Sequence, residues 1–327
     1  MDRSQCLALG GRSLQLRILF EAFRYHKQSQ HQRNLNTKRS RRNAAAPNFR
    51  RKHVNPYTIV ASDLDGTLLN NQAEISRENL DAISRIAERG GEFVVATGRT
   101  YAEIPEMVRN HPAIRYMIYS NGAVILDKKT GEKVYTCIPN SLVCRIADLL
   151  TEYKVHISIR HQGDCCVDEN YQEEEHYQFF RVDRCHVDVV AKCGVFIHDF
   201  DGYMRAADNV EVVSIFFHDP AEKEACRAKL QDLGGLYLAE ASPSNFEIVN
   251  AKAGKGSALL ALAERIGVPR EKTMALGDSG NDLTMIRAAG LGLATRNAQK
   301  ILFDEADGVI CSNEEHVAKY VLETYFG

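Results

Sequence analysis

The chain has 327 residues, 44% of them hydrophobic and 26% charged, which is ordinary for a globular protein and long enough for two domains. No apolar stretch approaches the ~20 uninterrupted residues of a membrane helix, which argues against a membrane-spanning role. The net charge of −2 hides an uneven split: residues 1–55 sum to +11 and the remaining 272 to −13, so the acidic bulk of the chain suits small-molecule partners better than nucleic acid.

Residues 1–55 include "NTKRSRRNAAAPNFRRKH" and have almost no apolar periodicity beyond Leu14–Tyr25. They are expected to be a basic, disordered extension or the product of a start codon placed too early, with an organelle transit peptide second and a nucleic-acid-binding tail last. The nine cysteines are odd in number, irregularly spaced and without a CxxC pair, as expected of reduced thiols in the cytoplasm. Cys185, His186 and Cys193 lack a second ligand pair at zinc spacing.

From Tyr57 onward, strand and helix patterns alternate. "YTIVASD" is a short, β-branched apolar run of the kind buried on both faces of a sheet. Ser76 is placed to cap a helix with Leu80, Ile83, Ile86 and Ala87 on its apolar face, stopped by Gly90-Gly91. "EFVVATGR" predicts a strand, Tyr101–Arg109 a helix, and "YMIYSNGAVIL" further strand around a turn. The rhythm resumes with "NFEIVN", a helix over Ser257–Ile266, "KTMALGD", a short helix over Leu283–Ala289, and a last helix opened by a capping box from Ser312 to Glu315. Between these halves the texture is α+β: a helix around Leu142–Leu150, strand-like "VHISIR" and "DCCVDE", an acidic stretch, "VEVVSIFFHD", a helix over Ala221–Leu233, and "GLYLAEAS". The pattern predicts a doubly wound, Rossmann-like α/β parallel-sheet core over residues 56–136 and 243–327, interrupted by a separate unit at 137–242.

In open α/β sheets, ligands gather beyond the carboxyl ends of the parallel strands. Asp63 and Asp65 come after the first strand, Thr97-Gly98-Arg99 after the second and Ser120-Asn121-Gly122 after the third. Gly277 to Asp282 come after "TMAL", and Lys255 opens the helix before it. An Asp-Gly turn alone accounts for the first pair. Four strand ends bearing groups useful to a phosphate or a cation, together with a lysine, favour a site. The "AGKGS" around Lys255 is not a P-loop, because Gly256 stands where a Walker motif needs Ser or Thr.

In these motifs the chain resembles the haloacid dehalogenase superfamily, and within it the Cof-type phosphatases. DxDGT is Asp63-Leu64-Asp65-Gly66-Thr67, the second motif is Thr97 in "TGR", the third is Lys255 in "KGSAL", and "GDxxND" is Gly277 to Asp282. The resemblance runs from about Tyr57 to the C-terminus. It implies Asp63 as nucleophile and Asp65 as general acid and base. Thr97, Gly98, Lys255 and Asn281 are implied to bind phosphate, with Arg99 and Asn121 as substrate neighbours. It implies Mg²⁺ held by Asp63, the backbone carbonyl of Asp65 and Asp278, with Asp282 in support. Thr97 to Lys255 spans 158 residues, far more than one crossover, so 137–242 is expected to be an inserted cap of the C2 type. Arg160, His161, Tyr171 and His176 are its candidates for touching the leaving group. The expected function is a Mg²⁺-dependent phosphatase of small phosphorylated metabolites, sugar phosphates first and flavin mononucleotide or pyridoxal phosphate after them, acting as a monomer or homodimer. The alternatives are a mutase or phosphotransferase on the same site, and a non-catalytic phosphometabolite-binding protein.

Overall fold

Ile59–Ser62 (β1), Glu92–Ala96 (β2) and Tyr116–Tyr119 (β3) are the short apolar runs of the sequence, and all pair in parallel. The structure, a computed structural model, describes residues 57–182 and 184–327; the expectations for residues 1–55 lie outside them. Val124–Asp127 (β4) and Glu132–Tyr135 (β5) fold back antiparallel at one edge. The chain then leaves this sheet and returns on the other side of β1 with Thr273–Gly277 (β12), Leu291–Ala294 (β13) and Gly308–Val309 (β14), again parallel. The order is β14-β13-β12-β1-β2-β3-β4-β5. The direction of winding reverses between β1 and β12, and a crevice for ligands opens at such a reversal.

Alternate side chains of β1 feed two cores. Val60 joins Ile83, Ile86, Val321 and Leu322 from the helices Arg77–Glu88 and Val317–Tyr325. Ile59 and Ala61 join Leu259, Leu262, Met285 and Ile286 from the helices Lys255–Arg265 and Leu283–Ala288 on the opposite face. Burial on both sides is why these strands read as nearly continuous apolar runs. Ser76 caps the first helix by accepting from the Asn79 N–H.

A second, six-stranded sheet carries the inserted α+β unit. Its strands are Val155–His161 (β6), Asp164–Asp168 (β7), Gly194–Ile197 (β8), Val210–Phe217 (β9), Leu236–Ser242 (β10) and Asn245–Asn250 (β11). The order is β10-β11-β9-β6-β7-β8, antiparallel except between β7 and β8. Val213, Ile215, Phe217, Phe246 and Ile248 pack under the helices Asn140–Leu150 and Pro220–Asp232. The opposite face of β6 presents His156, Ser158 and Arg160, all buried.

Two expectations need correction. "NFEIVN" was expected in the parallel core, but as β11 it pairs antiparallel with β9 and β10. It comes after β10 and a tight turn, so pairing with its neighbour costs little chain entropy, and a short apolar strand does not reveal its sheet. Tyr101–Arg109 is helical only over Glu106–Arg109. Pro105 lacks the N–H that a continuous helix would use, and the Thr100–Glu103 turn satisfies the preceding backbone instead. The elements Arg184–Cys193, Gly194–Ile197 and Phe200–Ala206 went unread in the sequence. No helix among the described residues is long and apolar enough to cross a membrane.

Candidate active site

Asp63 leaves the carboxyl end of β1, its N–H still held by the Leu276 carbonyl of β12 at 3.0 Å. The chain then turns tightly through Gly66, whose φ of +71° suits glycine. A Cβ there would also lie 2.3 Å from Asp278 Oδ2, so a side chain would displace that carboxylate. The next residue uses the approach: Thr67 Oγ1 donates to Asp278 Oδ1 at 3.2 Å. Asn297 holds the turn from outside by donating to the Gly66 carbonyl at 2.7 Å.

Beneath the turn, three carboxylates converge: Asp63, Asp278 and Asp282 each bring an oxygen within 4.8 Å of the others. Lys255, first residue of its helix, is fully buried and donates to Asp63 Oδ1 and Asp282 Oδ1, both at 2.7 Å. Asp282 Oδ2 accepts the backbone N–H groups of Asp278 and Ser279, each at 3.0 Å, so both its oxygens are committed to positioning. Burial, then the Asp282 carboxylate, raises Asp63 well above the usual carboxylate range against the opposing pull of Lys255. Burial and Asp282 push Asp278 up to about 6. Burial alone would lower Lys255, but Asp282 and Asp63 outweigh it and keep the ammonium charged. With three carboxylates against one ammonium, this nest stays short of positive charge. Its hard oxygen donors suit a divalent cation such as Mg²⁺.

Around the nest stand the remaining expected residues. Asp65 is half exposed and takes both guanidinium prongs of Arg99, at 2.8 and 2.6 Å. Thr97 is buried, and its hydroxyl accepts the Arg99 N–H at 3.1 Å. Gly98 lets Asn121 close in, since a Cβ would stand 3.0 Å from Asn121 Oδ1. Ser120 and Asn121 both have positive φ, 50° and 54°. The pair is stitched to the Thr97 loop by Ser120 N–H to the Arg99 carbonyl at 2.9 Å and Asn121 N–H to the Thr97 carbonyl at 3.1 Å. Two successive left-handed residues store strain that such bonds must hold. Asn281 donates to Asn121 Oδ1 at 3.2 Å.

The sequence reading missed three acids that face this region. Glu103 accepts the Thr100 N–H at 2.9 Å, Glu211 of β9 accepts the Ser120 hydroxyl and the Gly163 N–H, and Glu247 of β11 lies 3.5 Å from Asn121 Nδ2. Glu211 and Glu247 carried a signal, each a lone acid inside an apolar strand. Of the four cap candidates, Arg160 faces these acids, 3.8 Å from Glu103 and 3.6 Å from Glu247. His161 instead pairs with Tyr203 at 2.7 Å, and His176 stacks on Tyr171 and contacts His156, so these serve the packing of the cap itself.

Known proteins share this outline. The family model described as haloacid dehalogenase-like hydrolase matches residues 60–322. The phosphatase YwpJ of Bacillus subtilis is 28% identical over 282 residues, covering 81% of this chain and 98% of its own. The 5-amino-6-(5-phospho-D-ribitylamino)uracil phosphatase YitU of the same organism is 28% identical over 279 residues, covering 83% and 98%. A solved haloacid dehalogenase-like hydrolase from Bacteroides thetaiotaomicron superposes with a TM-score of 0.69 at 26% identity, covering 82% of this chain and 98% of its own.

Proposed function

The chain belongs to the haloacid dehalogenase-like hydrolases, in their Cof-type branch of phosphatases, and from that premise we propose that it hydrolyses small phosphorylated metabolites, sugar phosphates foremost, through an aspartyl-phosphate on Asp63. The observation that carries the reading is the nest itself: Asp63 held at 2.7 Å by a buried lysine, within 4.8 Å of Asp278 and Asp282, at the reversal point of a parallel sheet.

The Asp63 carboxylate attacks phosphorus, and the bond to the leaving oxygen breaks as the new P–O bond forms. Asp65, poised at the rim, gives its proton to that oxygen and takes one back from the water that opens the aspartyl-phosphate. Asp65 is paired with Arg99 in the structure, so this role requires the leaving oxygen to take the place of the guanidinium as its partner. Thr97 and Lys255 steady the equatorial phosphoryl oxygens. Asp63, the Asp65 carbonyl and Asp278 would hold Mg²⁺, which supplies charge neutralisation between carboxylate and phosphoryl group. Asp282 acts through Lys255 and the backbone of Asp278 and Ser279.

The strand pairing supports a cap that runs from residue 137 to about 250, so that the expected limit of 242 moves past β11. The test is phosphate release across a panel of phosphate esters with and without Mg²⁺. Release that needs the cation and vanishes in Asp63→Asn is the expected result; release that survives that substitution refutes the assignment.

A further inference from the structure

Glu211 stands in β9, 0% exposed, and both its carboxylate oxygens are taken up where the cap meets the core. Oε2 accepts the hydroxyl of Ser120, just past the end of β3, and Oε1 accepts the Gly163 N–H at 2.8 Å. Gly163 lies in the turn between β6 and β7, and its carbonyl accepts the Ala102 N–H of the core at 3.0 Å. The strand ladder explains how an acid in an apolar strand comes to point there. Arg160 and His161, successive residues of β6, face Val212 and Val210 of β9. Glu211 is left over between them, the extra residue of a β-bulge. A bulge interrupts the pairing and re-aims a side chain, often beside a functional site. Burial raises the Glu211 carboxyl above its ordinary value, against the opposing pull of the Ser120 and Gly163 bonds.

What this carboxylate holds is a strained turn. Ser120, Asn121 and Gly122 all have positive φ, 50°, 54° and 90°, and only the third is glycine. Other residues keep such angles only where their surroundings enforce them. The turn reaches the proposed site twice. Asn121 Oδ1 accepts from Asn281 at 3.2 Å. Gly122 packs so closely on Gly254 that a Cβ would lie 2.3 Å from the Gly254 carbonyl oxygen, one residue before Lys255.

We propose that Glu211 is a positioning residue of the reaction: from the cap it fixes Ser120 in the left-handed conformation, and through that turn it sets Asn121 and the start of the Lys255 helix. The proposal rests on the phosphatase reading above. Glu211 bonds none of the proposed catalytic groups and acts through Ser120. Without the carboxylate, Ser120 can relax toward negative φ and carry Asn121 away from Asn281. Asn281 and Lys255 serve the phosphoryl group that all esters share, so the loss should slow every ester alike.

The test measures kcat/KM with Mg²⁺ for phenyl phosphate and fructose 6-phosphate, with Tm recorded alongside. Small misplacements that start far from the chemistry are costly, so Glu211→Ala should lose on the order of tenfold or more, by the same factor on both esters. Glu211→Gln keeps an acceptor for Gly163 and a polar partner for Ser120, and should lose less. Ser120→Ala should lose activity as Glu211→Ala does. Ser120→Gly should lose less than Ser120→Ala, because glycine takes positive φ without strain. In the Ser120→Gly background, Glu211→Ala should cost little more, since the two changes act on one turn. If Glu211→Ala fails to fold, the comparison of the two Ser120 variants carries the test alone. A lowered Tm with unchanged kcat/KM would mean a purely structural role and overturn the proposal. So would a Glu211→Ala penalty undiminished in the Ser120→Gly background, or a Ser120→Gly loss equal to that of Ser120→Ala. Failure of the wild type to release phosphate from any ester, phenyl phosphate included, would instead refute the phosphatase reading itself.

Discussion

Lys255 places a fully buried ammonium 2.7 Å from each of two buried carboxylates. Lys255→Met leaves those charges uncompensated, and breaking such a pair costs about 3–5 kcal/mol. Urea unfolding should show that loss, and phosphate release should disappear with it. Burial, together with that crowding, sets a pH dependence. Asp63 and Asp278 hold protons more tightly folded than unfolded, so their contribution to stability is greatest at low pH. It is lost as pH rises through their folded values, about 6 for Asp278. A divalent cation held there would bind the ionised carboxylates and restore what ionisation removes. The rise in Tm on adding Mg²⁺ should therefore be larger near pH 8 than near pH 5; an equal rise at both would contradict the assignment of these groups.

The turn after β1 and the ends of β2, β3 and β12 bring the site together, and the same turn offers the sharpest element-level prediction. Gly66→Ala forces a Cβ into a left-handed residue, at about 1–2 kcal/mol, and drives it to 2.3 Å from Asp278 Oδ2. Thermal unfolding should record a modest loss, while Mg²⁺-dependent phosphate release should fall far more steeply. Much at this scale was legible in the sequence. Asp63, Thr97, Asn121 and Asp278 each stand directly after an apolar run or one residue beyond it, and in an open sheet the residues at that position share one edge. Lys255 was legible as the start of a helix. The failures have physical causes. An isolated six-residue strand such as Asn245–Asn250 carries no mark of its partner, and Pro105 ended a helix pattern that side-chain periodicity alone would have extended. The bond between Asp65 and Arg99 was also hidden, because it joins two strand ends 34 residues apart and no local pattern encodes it.

Two sheets with separate cores are joined by two connections, Thr136–Pro139 and Ala251–Gly254. Asn250 ties them together, its side chain donating to the Cys137 carbonyl at 2.7 Å. Residues that absorb cap movement change kcat and KM together when altered. Asn250→Ala should do so by several-fold without shifting which esters are preferred; a changed preference would place Asn250 in the binding site instead. The division into an α/β core and an insert was visible in motif spacing, because 158 residues between Thr97 and Lys255 exceed any crossover. The acids of the cap face were not, since which strand face meets the core depends on how the sheets dock. Turnover by this mechanism requires that the carboxylate of Asp63 become phosphorylated. Acid-quenched reaction mixtures with a processed ester and Mg²⁺, digested and read by peptide mass spectrometry, test that directly. A phosphoryl increment on the peptide bearing Asp63, absent from Asp63→Asn, is the expected result; turnover with the increment on another residue, or on none under conditions that trap acyl phosphates, would contradict it.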